Sequence, residues 1–261
     1  DISNNNSVSQ LIENYKPQII LHAAAHKHVN LMEKTPAEAV RNNIGGIINL
    51  AKNAIKENVE KFVLVSSDKA VEPSNVMGAT KRISEMIISQ MKDTKNTKFT
   101  SVRFGNVLGS DGSVVPIFQK QIEQGGPVTV TDPKVDRFFM TAHEAAGLIL
   151  SAAEFGNNKE IFLLDMGKPI NISFLAKTMI ELSGFIPNKD IQIIYTGLKP
   201  GEKISEDLSY KNERITKTKN EKIFSVENNS QKINIEEIEE FLENLENLSE
   251  EEVKTKLKNF I

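Results

Sequence analysis

The sequence predicts an α/β fold, a Rossmann-type parallel sheet covered by helices, and three observations predict it. Short apolar runs at Ile19–Leu21 and Phe62–Val65 have strand length and no polar face, the signature of strands buried on both sides. A third run, Thr100 to Phe104, and long segments of helical periodicity alternate with them, which implies parallel strands with right-handed crossovers. Small or hydroxyl-bearing residues follow the first two runs, at the strand ends where open α/β sheets bind ligands.

Each element has its own signal. Val8, Leu11, Ile12 and Tyr15 recur at helical spacing, and Pro17 stops that helix. A second helix spans about 36–57, with Ala39, Ile47, Leu50 and Ala54 inward. A third runs from Gly78 to Met91, with Ile83, Met86, Ile87 and Gln90 on one stripe. Beyond Gly105 the alternation loosens. Residues 114–123, 141–154 and 172–182 read as helices, 161–164 and 191–195 as strands. The charged stretch 211–222 reads as a loop. Two acidic helices close the chain, with an apolar stripe of Ile235, Ile238, Phe241 and Leu245. Ser249 and Glu252 form a capping box before the last one.

The bulk properties narrow the function classes. The chain has 261 residues, a formal net charge of -3, 39% hydrophobic and 26% charged residues. That is an ordinary globular balance, and it does not suggest a general nucleic-acid binder. There is no cysteine, which excludes disulfides and thiolate metal sites. No apolar run approaches the roughly 18 residues of a membrane span.

Three clusters carry chemistry. At the end of the first strand, Ala23-Ala24-Ala25 lets a ring or ribose approach the backbone, and His26, Lys27 and His28 follow. A polar loop without a ligand accounts for the same residues. No carboxylate or cysteine stands at ligand spacing to the histidines, so no metal is expected. At the end of the second strand, Ser66-Ser67-Asp68-Lys69 sets a hydroxyl, a carboxylate and an amine side by side, which suits acid–base work. An ordinary Asp-Lys turn is the plain alternative. Where the third helix begins, Lys81 lies one turn past Met77 on the same face.

Together these residues resemble the extended short-chain dehydrogenase/reductase family that acts on nucleotide sugars. The likeness is to its polysaccharide-biosynthesis (CapD-like) branch, the UDP-N-acetylglucosamine 4,6-dehydratases. The matching stretches are residues 22–29, Arg41-Asn42-Asn43, 66–71, 75–82, 102–107, 112–116, 136–141 and Lys199-Pro200-Gly201-Glu202-Lys203. They cover roughly residues 1–210 in the expected order.

The resemblance implies roles for particular residues. Ser67 orients the sugar, and Asp68 and Lys69 carry dehydration. Lys81 holds the nicotinamide ribose. The family's usual tyrosine is Met77 here, as in the large dehydratases of this branch. A thioether cannot transfer a proton, so Asp68, Lys81 or a water must take the 4-hydroxyl proton. The implied cofactor is NAD or NADP, NAD being favoured, with Asp1 near the adenine, Ala23 and Ala24 along the ribose and phosphates, and Asn43 as a packing polar group. For the UDP-sugar, Asn106 and Arg137 would meet the phosphates, Ser113 and Val114 the nucleotide, Lys199 and Glu202 the uridine ribose and diphosphate, and Lys27 the sugar side. A buried structural ion pair is the plain alternative for Arg137, and an exposed turn for Glu202. The implied product is a UDP-4-keto-6-deoxy sugar for capsule or glycan biosynthesis.

The expected organisation is a partial NAD(P)-binding Rossmann domain over 1–110, a nucleotide-sugar-binding region interleaved with the sheet over 111–225, and an acidic helical tail over 226–261. A complete member opens with a strand and a G-x-G-x-x-G loop that holds the pyrophosphate, and the motif is absent here. The sheet is therefore expected to lack its first strands and to leave an apolar edge unpaired, and Asp1-Ile2-Ser3 reads as the middle of a longer chain. A homo-oligomer is expected. So is a cytoplasmic location, at the inner face of the membrane where membrane helices precede the chain. A UDP-sugar 4-epimerase is the alternative enzyme, although Met77 beside Asp68-Lys69 argues against it. A non-catalytic nucleotide-sugar-binding or assembly fragment is the alternative of another class.

Overall fold

The computed structural model describes residues 1–91, 96–157, 159–227 and 232–261. Its elements in chain order are α1 (Asn5–Tyr15), β1 (Ile19–His22), α2 (Val29–Met32), α3 (Pro36–Ala39), a π-helical turn (Val40–Gly45), α4 (Gly46–Lys56), β2 (Lys61–Val65), a 3-10 turn (Asp68–Ala70), α5 (Val76–Gln90) and β3 (Lys98–Arg103). There follow β4 (Asn106–Val107), α6 (Val114–Glu123), β5 (Val128–Val130), β6 (Asp136–Arg137), β7 (Phe139–Met140), α7 (Ala142–Phe155), β8 (Glu160–Leu164), β9 (Ile170–Asn171), α8 (Ile172–Leu182) and β10 (Ile193–Tyr195). The chain ends with β11 (Ile215–Lys217), β12 (Ile223–Val226), α9 (Ile235–Glu243), a 3-10 turn (Leu245–Asn247) and α10 (Glu250–Asn259).

The chain forms two compact units that interleave in sequence. The first comprises 1–104, 148–165 and 207–261, the second 105–147 and 166–206. The sequence alone sets the bounds near 110 and 225, with the middle region interleaved with the sheet. The interleaving arises because β8, β11 and β12 join the sheet begun by β1 to β3. Sheet order is set by pairing and not by sequence distance.

The first unit holds a six-stranded sheet of order β1-β2-β3-β8-β12-β11. β1, β2, β3 and β8 are parallel, with Ile20 opposite Phe62, Phe62 opposite Phe99 and Val102 opposite Phe162. β12 and β11 extend it antiparallel. Phe62, Leu64, Ile83, Ile87 and Phe99 are buried in its core. His22 pairs with Leu64, and Val65 with Val102, so the segments that follow β1, β2 and β3 leave the sheet at one end.

Three sequence expectations change here. β1 is not buried on both faces: Ile19 is 50% and Leu21 43% exposed. It is an edge strand that pairs, among the described residues, with β2 alone. Within 211–222, expected to be loop, lies β11, whose alternating exposed and half-covered residues suit a charged edge strand. The acidic tail is part of the first unit's core, because Ile238, Phe241, Leu245, Val253 and Leu257 pack into the same cluster as α4 and α5. The capping box forms as expected, with Ser249 N donating to Glu252 Oε2 at 2.8 Å.

In the second unit α6 and α8 pack on the parallel pair β5–β10. Phe118, Ile122, Val128, Val130, Ile172 and Ile180 form its core. β4 pairs with β7, and β6 with β9. Among the described residues no helix is long and apolar enough to cross a membrane.

Candidate active site

The turn after β2 is built before it is charged. Ser66 N donates to Val102 O at 2.8 Å and Asp68 N to Phe104 O at 3.0 Å, so the segment keeps the company of β3 after the strand has ended. Ser67 Oγ then caps the 3-10 turn by accepting from Lys69 N at 3.2 Å. Asp68 is fully buried. Its Oδ1 accepts from Ser67 Oγ at 2.8 Å and from Lys69 Nζ at 3.0 Å. Its Oδ2 is buried and has no hydrogen-bond partner among the described residues. A buried carboxylate oxygen without a donor is costly, and such atoms are concentrated where a ligand supplies the donor.

Helix α5 supports this turn from below. Asn75 caps it through Gly78 N, 2.8 Å from Asn75 Oδ1. Gly78 meets the turn so closely that an added Cβ would lie 2.3 Å from Lys69 O. Met77 and Lys81 lie one turn apart, and both are buried. The Met77 side chain belongs to the hydrophobic core. Lys81 Nζ donates to Val65 O at 2.8 Å. Burial lowers its pKa from 10.5 to about 8, against the upward pull of Glu85. His22, at the end of β1, is lowered to about 4 by burial and by Lys81, so the imidazole is neutral at pH 7.

The loop after β1 is fastened to α5 through Asn43. Its Oδ1 accepts from His26 N at 2.8 Å, while its Nδ2 donates to His26 O and Thr80 Oγ1 at 3.1 and 3.0 Å. Asn43 sits in the π-helical turn that interrupts the helix expected over 36–57, and π-turns mark functional sites in many proteins. Ala23 and Ala24 are exposed, leaving backbone open to a flat group. Lys27 is exposed, and the Asp1 carboxylate accepts from Ser3 N and Oγ. A nicotinamide nucleotide fits these residues: an open alanine face, a loop held by Asn43 and a buried amine at one strand end.

The second unit gathers Arg137, Glu202 and Lys199. Glu202 accepts from Thr131 Oγ1 at 2.9 Å and from Lys199 N at 3.1 Å, and lies 3.3 Å from Arg137 Nη2. Arg137 also donates to the carbonyls of Asp136, Lys203 and Ile204. It therefore forms the structural ion pair weighed as the plain alternative, and an anion would have to share or displace Glu202. Ser113 stands before α6, its Oγ buried without a partner among the described residues, and Val114 begins the helix beside that unit's core. Asn106 lies in β4, its N–H bonded to Phe138 O.

Sequence reasoning missed a buried polar network behind the turn. Ser66 Oγ donates to Glu85 Oε1 at 2.6 Å, and Arg103 grips both Glu85 oxygens at 2.8 Å. Arg103 also donates to both oxygens of Glu213 at 3.0 and 2.8 Å. Burial opposes these charges, yet Glu85 and Glu213 hold the Arg103 guanidinium above its ordinary range, and Arg103 chiefly holds the Glu85 carboxyl below its own. The signal available was an arginine inside an apolar strand and a glutamate one turn past Lys81. Their partner Glu213 had none.

The sequence model of the family described as polysaccharide biosynthesis protein matches residues 1–228. The chain is 54% identical over 213 residues to the probable polysaccharide biosynthesis protein EpsC of Bacillus subtilis, covering 82% of this chain and 36% of that protein. It is 52% identical over 225 residues to the capsular polysaccharide biosynthesis protein CapD of Staphylococcus aureus, covering 86% and 37%. A UDP-glucose 4-epimerase of Rickettsia canadensis is 37% identical over 211 residues, covering 80% and 60%. The X-ray structure of Pen from Bacillus thuringiensis matches with a TM-score of 0.80 at 36% identity, covering 95% of this chain and 81% of that one. The chain thus spans little more than a third of the length of EpsC and CapD. The fold is the Rossmann-type α/β fold read from the sequence.

Proposed function

This chain belongs to the polysaccharide biosynthesis protein family, of extended short-chain dehydrogenase/reductase type, and on that premise we propose that it carries the catalytic turn of a nucleotide-sugar 4,6-dehydratase acting on UDP-N-acetylglucosamine. The observation that carries the reading is the Asp68–Lys69 ion pair, Asp68 buried and Lys69 part-exposed, with Asp68 Oδ2 unpartnered among the described residues. One carboxylate oxygen is committed to Ser67 and Lys69, and the other is available to a substrate hydroxyl.

A bound nicotinamide would supply the hydride chemistry, between sugar C4 and C6. Lys81, Asn43, Ala23 and Ala24 would hold it, with NAD favoured over NADP. Asp68 Oδ2 takes the proton of the 4-hydroxyl, which Met77 cannot accept. Lys69, part-exposed and 3.0 Å from Asp68, passes one proton to solvent before it acts as a base. Neutral Lys69 then removes the C5 proton, which the adjacent C4 ketone has acidified. Asp68 protonates the departing C6 hydroxyl with the proton it took from the 4-hydroxyl. Lys69 returns its proton to C5 and regains from solvent the one it released, so both groups end as they began. The net change is loss of one water. In the second unit Arg137, Glu202 and Lys199 suit the diphosphate and ribose, and Asn106, Ser113 and Val114 the nucleotide. Lys27 suits the sugar side and Asp1 the adenine.

A second reading, a UDP-sugar 4-epimerase, is favoured by the identity to the Rickettsia canadensis protein. Mass spectrometry separates the two. Dehydration lowers the sugar nucleotide by one water, and epimerisation leaves its mass unchanged. The dehydratase reading fails if a complete enzyme carrying this chain leaves the mass of UDP-N-acetylglucosamine unchanged with NAD+ present, or if Lys69→Ala in that enzyme turns over normally.

A further inference from the structure

The hydrogen bonds behind the turn do not stop at Glu213. Glu213 Oε2 accepts from Tyr210 N at 2.9 Å, and Tyr210 Oη donates to Ala70 O at 3.1 Å. The circuit therefore leaves the sheet at Ser66, passes through Glu85, Arg103, Glu213 and Tyr210, and returns to the chain at Ala70. Ser67, Asp68 and Lys69 are the three residues between its two ends. The Tyr210 ring is held in turn, with the Arg82 guanidinium 4.8 Å and that of Arg103 5.8 Å from its centroid.

The geometry points to Tyr210 as a positioning residue: with Glu213 it forms a clasp that fixes the Ser67–Lys69 turn from outside, and so aims Asp68 Oδ2. The inference rests on the dehydratase reading for its chemical consequence, not for its structural half. The turn is anchored on its sheet side by the Ser66 and Asp68 amides, and its exit has the Tyr210 hydroxyl as an anchor from a distant segment. Asp68 and Lys69 interact over 3.0 Å, and a pair that exchanges protons with a substrate loses much of its rate when displaced by about 1 Å. The clasp comes from 207–213, at the start of the last stretch of the first unit. A side chain some 140 positions from Ala70 thus closes the site's scaffold. Tyr210 touches neither substrate nor reacting atoms in this scheme, which separates it from Asp68 and Lys69.

Tyr210→Phe keeps the ring between the arginines and removes only the hydroxyl. Glu213→Gln keeps the shape and weakens the Arg103 grip. Hydrogen exchange in a peptide covering 66–71 should accelerate about tenfold in both variants, as loss of one semi-buried hydrogen bond allows, while exchange in β8 stays as in the wild type. Turnover of UDP-N-acetylglucosamine should fall about tenfold in kcat with KM unchanged. Unaltered exchange at 66–71 overturns the inference, and so does an equal acceleration throughout the unit, which is general destabilisation. Faster local exchange with full turnover confines Tyr210 to stability and overturns the positioning role. If the wild type dehydrates nothing, the functional reading falls, and the exchange data still decide whether the clasp fixes the turn.

Discussion

Replacing Lys81 by methionine should stabilise the fold at neutral pH and lose that advantage in alkali. Burial lowers Lys81 from 10.5 to about 8, with Glu85 pulling the other way. Below pH 8 the native protein holds this charge in an apolar site, while the unfolded chain holds it in water. Between pH 8 and 10.5 the unfolded chain binds one more proton at this residue than the native one, so stability rises with pH across that window. The drop from 10.5 to about 8, at about 1.4 kcal/mol per pH unit, makes protonated Lys81 cost about 3 kcal/mol relative to its neutral form. Methionine has no charge to bury and a comparable volume. Against it stands the lost bond from Nζ to Val65 O, worth about 1 kcal/mol. The variant should therefore gain about 2 kcal/mol at pH 7 and fall about 1 kcal/mol below wild type once both states are neutral. Urea unfolding of both proteins, stepped from neutral pH to beyond 10.5, reads the difference, and other titrations cancel in the comparison. A difference that does not change with pH, or a variant destabilised at pH 7, would refute the reasoning.

Other substitutions probe the scaffold. Gly78→Ala puts a Cβ 2.3 Å from Lys69 O, so backbone must move. Thermal unfolding should register a loss of about 1–3 kcal/mol, and dehydration should fall further than stability does. Leu257→Ala should cost about 2–5 kcal/mol in urea because the tail belongs to the core; a loss below about 0.5 kcal/mol, the size of a surface effect, would contradict that. Asn43→Ala strips partners from His26 and Thr80. Calorimetry should show NAD+ bound about tenfold more weakly, on the order of 1.4 kcal/mol, and UDP bound as before.

Much of the site could be read from the chain because its logic is local. The turn Ser67-Asp68-Lys69 ends an apolar run, and Met77 and Lys81 are one helical turn apart, so spacing alone set them on one face. Other features depend on partners far away in sequence. Arg103 looked like one polar residue in an apolar strand until Glu85 and Glu213 were beside it. Tyr210 carried no signal, because its hydroxyl matters only where 207–213 passes the turn. The charged 215–217 segment looked like loop, since an edge strand with solvent on one side has no apolar run to announce it.

The sequence by itself determined the long helices and the parallel strands β1, β2, β3 and β8, since period 3.6 and short apolar runs are properties of neighbours along the chain. It also determined which side chains the turn sets side by side, because the Asp-Lys pair is contiguous. Only the tertiary structure decided the fastenings of that turn and the proton affinity of Lys81 behind it. Lys81 in isolation is a lysine near 10.5; enclosed by the packing of β1, β2 and α5 it titrates near 8, because desolvation is a property of surroundings. The exposed edge at β1, the acidic tail in the core and the circuit from Ser66 to Ala70 were decided in the same way. Sheet order and long-range packing choose the neighbours, and neighbours set the energies.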